Sequence, residues 1–411
     1  MYYYSCRQRS RAAEYVITRK NYYCLIISGF MVSNLRLIDV ILVKSDSIVD
    51  QPTIRDQKII KSLGKKYSLV VLGWNRGREL PERKRLTLYS SNFELFSLNA
   101  PFGAPTLLPY LPFFWMWVLV RLARHKPKVV HACDLEAMPP CYLYKIIFRT
   151  KLIFDVFDRY AMAYIPRKNI FFKKLYSLTN SFEERLAEGA DILVSVSDEL
   201  INTFRRKPKS CIAILNCAED HIIPKYAKSD KEIKFTIAFT GHIRRNRGLE
   251  PLIAAIKDLK TVTLVVTGRT EDKELLSKIR SFSNVKYLGF LEHKEVLNIE
   301  ASSDAIVALY NLDAYAQNKY VMGNKLFEAM MCGVPIITNV ATEIVNETKC
   351  GIIVDYNDID QVRNAIVSLR DNPELRKNLG DNGRKAFLQK YNWNVMEQKL
   401  FKIYDTLLGY N

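Results

Sequence analysis

Short apolar stretches of strand length alternate with helical stretches along most of the chain, and this alternation limits the fold more than any other feature. The predicted strands of the first half are residues 37–43, 68–73, 93–98, 128–131, 151–154, 192–195 and 212–215. Those of the second half are residues 235–239, 263–267, 285–288, 305–308, 334–338 and 351–354. Apolar strands separated by helices form parallel sheets covered on both faces. The sequence therefore predicts an α/β protein with two Rossmann-like domains that face each other across a cleft.

The chain length of 411 residues also fits two domains better than one. A stretch rich in Lys, Asp and Pro at residues 208–232 marks the change between them. We predict an N-terminal domain over residues 31–217, a C-terminal domain over residues 218–390 and a final helix over residues 391–411. The basic residues 1–30 are predicted to be a leader of uncertain order, with Met31 as an alternative start of the functional chain.

The net charge of +18 is concentrated in the first half of the chain. Residues 1–212 carry +16 and the remainder only +2. A basic half favours an anionic partner, such as a membrane surface, an anionic lipid-linked substrate or nucleic acid. Nucleic acid is disfavoured because the basic residues are not interleaved with aromatic residues in a binding motif. The stretch Leu107–Ala123, with Trp115 and Trp117 near Arg121, is either a core helix or an interfacial helix that contacts an anionic membrane.

The eight Cys residues are scattered and form no Cys-x-x-Cys pair, which is compatible with reduced thiols in a cytosol. The five His residues have no metal-ligand spacing either, so no metal site is predicted. Asp358 and Asp360 precede a helical stretch and are interpreted as part of a helix N-cap. No apolar run reaches the ~18–20 residues that span a bilayer.

One segment of the second half, residues 323–335, has the pattern of a short helix with both ends marked. Gly323 and Asn324 are suited to the N-cap, and Gly333 to a left-handed residue after the last turn. A helix N-terminus with Lys325 beside it is suited to bind a phosphate. Glu328 lies one turn further in, on the predicted polar side, where it can accept hydrogen bonds from a ribose. The alternative interpretation is an ordinary capped helix with a solvated Glu.

This segment resembles the Asn-Lys-x-Phe-Glu-x-Met-x-x-Gly-x-Pro signature of group 1 retaining glycosyltransferases with the GT-B fold. The resemblance implies a nucleotide-sugar donor as substrate, no separate cofactor, and a last helix that returns to the first domain. The loop at residues 240–250 is similar to the family's diphosphate-binding loop, and three Arg within four positions can hold a diphosphate bidentately. The residues that the resemblance assigns to the donor are Gly241, Arg244, Arg247, Gly289, Phe290, Asn324, Lys325 and Glu328.

Matches in the first half are looser. His131 and Asp134 lie in a stretch similar to the family's His-x-His segment, with Cys133 where members have a second His. His131 is interpreted as a packed histidine, and Asp134 as the catalytic candidate near the acceptor. The largest departure is Tyr320, which stands where the family has the first Glu of a Glu-x7-Glu pair. Asn318 or Lys319 must then help to hold the sugar.

The sequence thus predicts a metal-independent enzyme that transfers a hexose from a UDP- or GDP-sugar to a lipid-linked or cell-surface glycan, with retention of configuration. Asp134 and Glu328 are the candidate catalytic residues. The predicted location is cytoplasmic, with peripheral contact at the inner face of the membrane. Two alternatives stay open: a non-catalytic GT-B subunit or basic nucleic-acid- or membrane-binding protein, and a nucleotide-sugar 2-epimerase.

Overall fold

The computed structural model describes residues 38–45, 53–76, 87–88, 91–101, 104–165, 169–221, 234–314 and 316–410. The predicted leader, Met31 and residues 222–232 of the predicted linker between the domains lie outside these residues, as do Cys6 and Cys24. From Ile38 onward the chain forms one compact unit.

The first half contains an eight-stranded sheet with the order β3-β4-β2-β1-β5-β6-β7-β8. All neighbouring strands are parallel except β3 and β4, which form an antiparallel pair at one edge. The strands are β1 (Val40–Lys44), β2 (Leu69–Asn75), β3 (Thr87–Leu88), β4 (Ser91–Ser97), β5 (Val129–Cys133), β6 (Lys151–Val156), β7 (Ile192–Ser195) and β8 (Ser210–Ala213).

The helices of the first half cover this sheet. They are α1 (Ile54–Lys66), α2 (Ala104–Leu107), α3 (Leu111–His125), α4 (Asp134–Phe148), α5 (Tyr160–Tyr164), α6 (Ile170–Glu188) and α7 (Asp198–Asn202). Helix α1 begins after Thr53, whose side chain accepts a hydrogen bond from the Asp56 amide in a capping box. Helix α3 is a core helix on one face, where Phe114 and Val118 are buried, whereas Phe113 is 63% exposed.

The second half contains a six-stranded, all-parallel sheet with the order β11-β10-β9-β12-β13-β14. Its strands are β9 (Phe235–Thr240), β10 (Val262–Thr267), β11 (Val285–Tyr287), β12 (Ala305–Ala308), β13 (Ile336–Thr338) and β14 (Gly351–Ile353). Two sheets of parallel strands covered by helices confirm the predicted fold class.

The remaining helices follow these strands. They are α8 (Leu249–Ile256), α9 (Lys273–Arg280), α10 (His293–Ser302), α11 (Asn324–Cys332), α12 (Thr342–Thr348), α13 (Ile359–Asp371), α14 (Pro373–Gln389) and α15 (Trp393–Leu408). Asp358 caps α13 by accepting a hydrogen bond from the Gln361 amide, as predicted for an N-cap. In the described ranges, no helix is long and apolar enough to cross a membrane.

Helix α15 packs against α1, far from it in sequence. The Trp393 indole N–H donates to the Ser62 hydroxyl at 3.0 Å, and Lys66 pairs with Asp405 at 2.6 Å. The end of the chain therefore lies against the first half, while the domain limits given above stay a prediction.

A buried polar network lies where α15 meets the first sheet. Tyr404 and His131 are fully buried and hydrogen-bonded to each other, and His131 Nε2 lies 3.3 Å from Asp155 Oδ2. Arg55 Nη2 donates to Asp155 at 3.0 Å. Burial alone would raise the pKa of Asp155, but Arg55 and His131 hold it below its ordinary value. His131 is thus engaged inside the fold, consistent with its interpretation as a packed histidine.

We expect Tyr404→Phe to lower the free energy of unfolding by about 1–3 kcal/mol, because His131 loses a buried hydrogen-bond partner. Urea unfolding measures the change. Tyr410→Phe is the matched control, since the Tyr410 hydroxyl contacts Asp39 at the surface. An equal loss in both variants would contradict the importance of the buried network.

Candidate functional site

The carboxyl ends of the second sheet border a cavity of about 720 Å³. Five of the predicted donor residues line this cavity: Gly241, Phe290, Asn324, Lys325 and Glu328. Ile54, the first residue of α1, also lines it, so the cavity lies between the two halves of the chain. Parallel strands direct their following loops to one edge of the sheet, which is why residues far apart in sequence meet here.

Helix α11 begins at Asn324 and ends before Gly333, which has the predicted left-handed conformation with φ of 63°. The predicted N-cap is only partly right. Gly323 holds the cap position without any side-chain cap, and Asn324 is already the first helical residue. The Asn324 side chain accepts instead from Asn216 Nδ2 at 2.6 Å, a contact between the two halves. The first amides of α11 therefore have no side-chain cap to compete with a ligand.

Lys325 projects toward the loop that follows β9. A Cβ atom built on Gly241 would lie 3.4 Å from Lys325 Nζ, so the glycine leaves room for the ammonium group. Gly241 has φ of 94°, a conformation that favours glycine. The loop after β10 packs directly on this loop. The backbones of Gly268 and Gly241 are so close that a Cβ atom built on Gly268 would lie 1.7 Å from the Gly241 carbonyl oxygen.

Glu328 is not the solvated carboxylate of the alternative interpretation. It is 8% exposed, because α11 is buried from Leu326 to Cys332 while Asn324 at its start is exposed. Burial raises the pKa of Glu328, while His293, Lys325 and Lys58 oppose that increase. His293 Nε2 lies 3.9 Å from Glu328 Oε1 and also lines the cavity. Glu328 is thus an acceptor at the base of the cavity, surrounded by basic groups.

A second carboxyl group, Glu300 of α10, lies next to Glu328 and was not predicted. Glu300 is fully buried and accepts a hydrogen bond from the Thr240 hydroxyl at 2.6 Å. Burial and the neighbouring Glu328 raise the pKa of Glu300 well above its ordinary value. At a pH at which an ordinary carboxyl group is ionised, Glu300 therefore still holds its proton. No sequence pattern indicates this contact, since it depends on how α10 packs on α11.

The three arginines of the loop after β9 differ in their surroundings, and none of them lines the cavity. Arg245 pairs with Asp272 and Glu274, both at 2.7 Å, at the surface. Arg244 is exposed beside His242. Arg247 stacks on the ring of Tyr310 at 4.6 Å, and Tyr310 does line the cavity.

Arg269 lines the cavity although the sequence reasoning did not select it. Its guanidinium group lies 3.9 Å from the ring centre of Phe290. The pair Thr240-Gly241 at the end of β9 is repeated as Thr267-Gly268 at the end of β10, immediately before Arg269. This repeat is the sequence signal from which Arg269 could have been selected. Gly289, just before Phe290, has φ of 77° and accepts at its carbonyl from the Gly268 amide at 2.8 Å.

Asp134 lies in the first half, at the first position of α4, and does not line the cavity. Its Oδ1 accepts from the Phe157 amide at 3.1 Å. Burial raises the pKa of Asp134 well above its ordinary value, and Lys44 opposes the increase. Asp158 also acts on Asp134. Burial raises the pKa of Asp158, and Arg247 of the second half and Lys44 oppose that increase. Asp158 thus interacts electrostatically with Asp134 of the first half and with Arg247 of the second.

The residues proposed to replace the family's first Glu lie in a short 3-10 turn, Ala316–Tyr320. The Asn318 amide donates to the Asn311 carbonyl at 2.7 Å, so this side chain is engaged in its own loop. Lys319 is exposed. Over the described ranges, no three His, Cys, Asp or Glu side chains meet in a way that could hold a metal ion.

Comparison with known proteins supports the resemblance seen in the motifs. The family model for glycosyl transferases group 1 matches residues 221–386. An uncharacterized glycosyltransferase of Methanocaldococcus jannaschii is 25% identical over 289 residues, which are 64% of this chain and 71% of that protein. A GDP-mannose-dependent monoacylated alpha-(1-6)-phosphatidylinositol monomannoside mannosyltransferase of Corynebacterium glutamicum is 26% identical over 187 residues, 42% of this chain and 49% of that protein.

Among solved structures, the Anabaena protein HepE in complex with UDP and glucose superposes with a TM-score of 0.67 at 15% identity. The alignment covers 90% of this chain and 100% of that one. This likeness confirms the two-domain GT-B fold. The chain spans about half the length of the Corynebacterium relative, so the comparisons support the class of enzyme and leave the donor and acceptor to be proposed.

We expect Glu300→Gln to raise the free energy of unfolding by at least about 1 kcal/mol at pH 7.5. With its raised pKa, Glu300 makes the folded state bind a proton that the unfolded state releases above the ordinary carboxyl pKa of 4.5. The wild-type chain therefore loses stability as the pH rises above that value, and the neutral amide removes this loss. The gain should disappear near pH 4, as measured by urea unfolding across pH.

Glu343→Gln is the matched control, because Glu343 is an exposed carboxyl on α12. This variant should unfold like the wild type at each pH. A Glu300→Gln variant that is less stable than the wild type at pH 7.5, or equally changed at pH 4, would contradict the shared proton.

Proposed function

We propose that this chain is a group 1 glycosyltransferase with the GT-B fold and that it transfers a hexose from a UDP- or GDP-sugar to a lipid-linked or cell-surface glycan. The observation that carries the proposal is the cavity at the start of α11. Lys325, the first amides of the helix and Glu328 meet there beside the glycine loop at Gly241. This arrangement provides a cationic end for a diphosphate and, one turn away, a carboxylate for hydroxyl groups.

The diphosphate in this proposal lies between Gly241 and the start of α11. The glycine lets the backbone approach the phosphate oxygens, and Lys325 supplies a positive charge at that point. As the sugar–phosphate bond breaks, negative charge grows on the leaving diphosphate. Fixed positive groups that already face that position stabilise the transition state more than the ground state. Arg247 and Arg269 add further positive charge from the loops after β9 and β10.

The nucleoside in this proposal extends toward Phe290 and Glu328. Glu328 accepts from the ribose hydroxyls, and the three basic groups around it favour the ionised carboxylate that this role requires. Phe290 and Gly289 lie at the end of β11, where the ring and backbone groups can hold the base. The proposal keeps both UDP and GDP, because the Anabaena structure is a complex with UDP and the Corynebacterium relative is named as GDP-mannose-dependent.

Asp134 is proposed to act on the acceptor. It follows β5 at the carboxyl edge of the first sheet, and its raised pKa suits a group that exchanges a proton. Retention of configuration and independence from a metal ion are part of the proposal by similarity to the family. In place of a metal ion, Lys325 and the arginines neutralise the negative charge of the leaving diphosphate.

The proposed acceptor is anionic or lipid-linked, because the first half carries most of the net charge. The name of the Corynebacterium relative describes a phosphatidylinositol mannoside as its acceptor, which supports a lipid. Helix α3 presents exposed apolar residues near basic ones, and we propose peripheral contact with an anionic membrane through this side. A non-catalytic GT-B protein is the second candidate, favoured by Tyr320 in place of the family's first Glu.

Thermal unfolding with UDP, GDP and their sugars tests the donor site. We expect one nucleotide to raise the melting temperature by several degrees, since a ligand that binds only the folded state stabilises it. Lys325→Ala should abolish the increase. Arg245→Ala should keep it, because Arg245 is engaged by surface carboxylates outside the cavity. No increase with any nucleotide would favour the non-catalytic alternative, and equal loss in both variants would contradict the assigned position.

Asp134→Asn should lower turnover by about 10²–10⁴-fold while leaving the nucleotide-induced stabilisation intact. The reason is that Asp134 lies outside the donor cavity and acts on the acceptor. Asp198→Asn, at an exposed helix start in the same half, is the control and should be unaffected. Donor hydrolysis and transfer are both measured. Unchanged turnover in Asp134→Asn would remove its catalytic assignment.

A further inference from the structure

An apolar groove of about 420 Å³ lies in the first half between helices α3, α4, α5 and α6. Its walls include Leu111, Trp115, Pro139, Phe172, Leu178 and Phe182. Glu136 is the one charged residue that the described part of the chain contributes to its lining. A concave apolar site of this volume, with a few polar groups at one end, is typical of a small-molecule site.

Hydrogen bonds fix the walls of the groove. The Trp115 indole N–H donates to the Glu136 carbonyl at 2.8 Å and holds α3 against α4. Glu183 of α6 accepts from Arg159 Nε at 2.8 Å and from the Tyr160 amide at 3.0 Å, which holds the start of α5 on α6. Because these bonds are largely buried, the groove is present before any ligand binds.

The inner end of the groove lies at the carboxyl edge of the first sheet, where its lining residues Leu135 and Glu136 follow β5. Glu136 lies two residues after Asp134 on the first turn of α4, and its charge acts on both Asp134 and Tyr160. Tyr160 begins α5, which packs against residues 316–320 of the second half. Leu135, which directly follows Asp134, also lines the groove, so this end of the groove lies next to the residue assigned to the acceptor.

The outer end of the groove opens on an apolar surface. Leu108 before α3 and Leu175 and Leu178 of α6 line the groove and are 59%, 39% and 61% exposed. Lys173 and Lys174 of α6 are exposed in the same region. Contiguous apolar patches of this kind, edged by positive charge, mark surfaces that meet lipid or another apolar partner.

We propose that this groove binds the hydrocarbon chain of a lipid acceptor and directs the polar head of that lipid to Asp134; this rests on the proposed transfer to a lipid-linked acceptor. The apolar walls take the chain, the exposed lysines suit an anionic headgroup or its neighbours, and the inner end delivers the hydroxyl group to the cleft. The occupant is one chain of a lipid rather than a second protein molecule, because the inner end leads to the reacting groups.

Quenching of Trp115 fluorescence tests the groove directly. The probe is 12-bromododecyl phosphate below its micelle concentration, since bromine quenches a nearby indole. The matched probe is 2-bromoethyl phosphate, which has the same phosphate and bromine but no long chain. We expect saturable quenching with the long probe only, and its loss in Trp115→Phe.

Substitutions at two exposed positions distinguish binding in the groove from binding to the surrounding surface. Leu178→Arg places a charge in the groove and should raise the half-saturation concentration of the long probe at least ten-fold. Val120→Arg adds the same charge on α3 outside the groove lining and should change it less than two-fold. Arginine is chosen because its charge attracts the phosphate, so weaker binding must come from the loss of the apolar wall.

Equal effects of the two substitutions, or none in Leu178→Arg, would overturn the groove assignment. Sedimentation of the same samples adds a further criterion: a wild-type dimer that becomes a monomer in Leu178→Arg would make the groove a contact between copies and also overturn it. Nucleotide-induced stabilisation is measured in parallel. Its absence in the wild type contradicts the proposed donor whatever the quenching, whereas lost quenching with normal stabilisation overturns the groove alone.

Discussion

Three basic side chains on one face of helix α1 hold the segment that leads from the first sheet toward the second. Arg55, Lys58 and Lys61 bind carbonyl or carboxylate groups within residues 214–219. Lys58 Nζ donates to the Cys217 carbonyl at 2.6 Å, and burial lowers the pKa of Lys58 to about 8. Residues three apart on a helix share one face, so the three groups act along one line. The relative placement of the two halves, and with it the cleft, depends on this attachment.

The cavity at the start of α11 is bordered by two buried carboxyl groups. Glu328 faces the cavity and Glu300 lies behind it, bonded to Thr240 at the end of β9. Two buried acids cannot both ionise at low cost, so one proton stays with the pair. This leaves Glu328 as an acceptor for a ligand while the acid behind it is neutral. The arrangement has a cost in folding stability, which proteins commonly accept at functional sites.

The sequence was sufficient for the fold because apolar strands and amphipathic helices differ in period. The two-residue strand β3 was missed, since so short an edge strand has no period to detect. Gly241 and Lys325 were predicted from the local chemistry of a glycine loop and a helix start. Glu300 was not, because its burial follows from the packing of α10 against α11. The sequence placed Glu328 on the polar side of its helix, whereas the structure buries it, because α11 is covered around its circumference from Leu326 onward.

Three loops at the end of the second sheet are joined through their backbones. The Gly268 backbone lies against the Gly241 carbonyl, and the Gly268 amide donates to the Gly289 carbonyl at 2.8 Å. No side chain separates these segments, so none of them can shift without moving the next. A ligand that spans Lys325 and Phe290 thus meets a single rigid body and not three independent loops. Little conformational entropy remains to be lost on binding, which leaves more of the contact energy available as affinity.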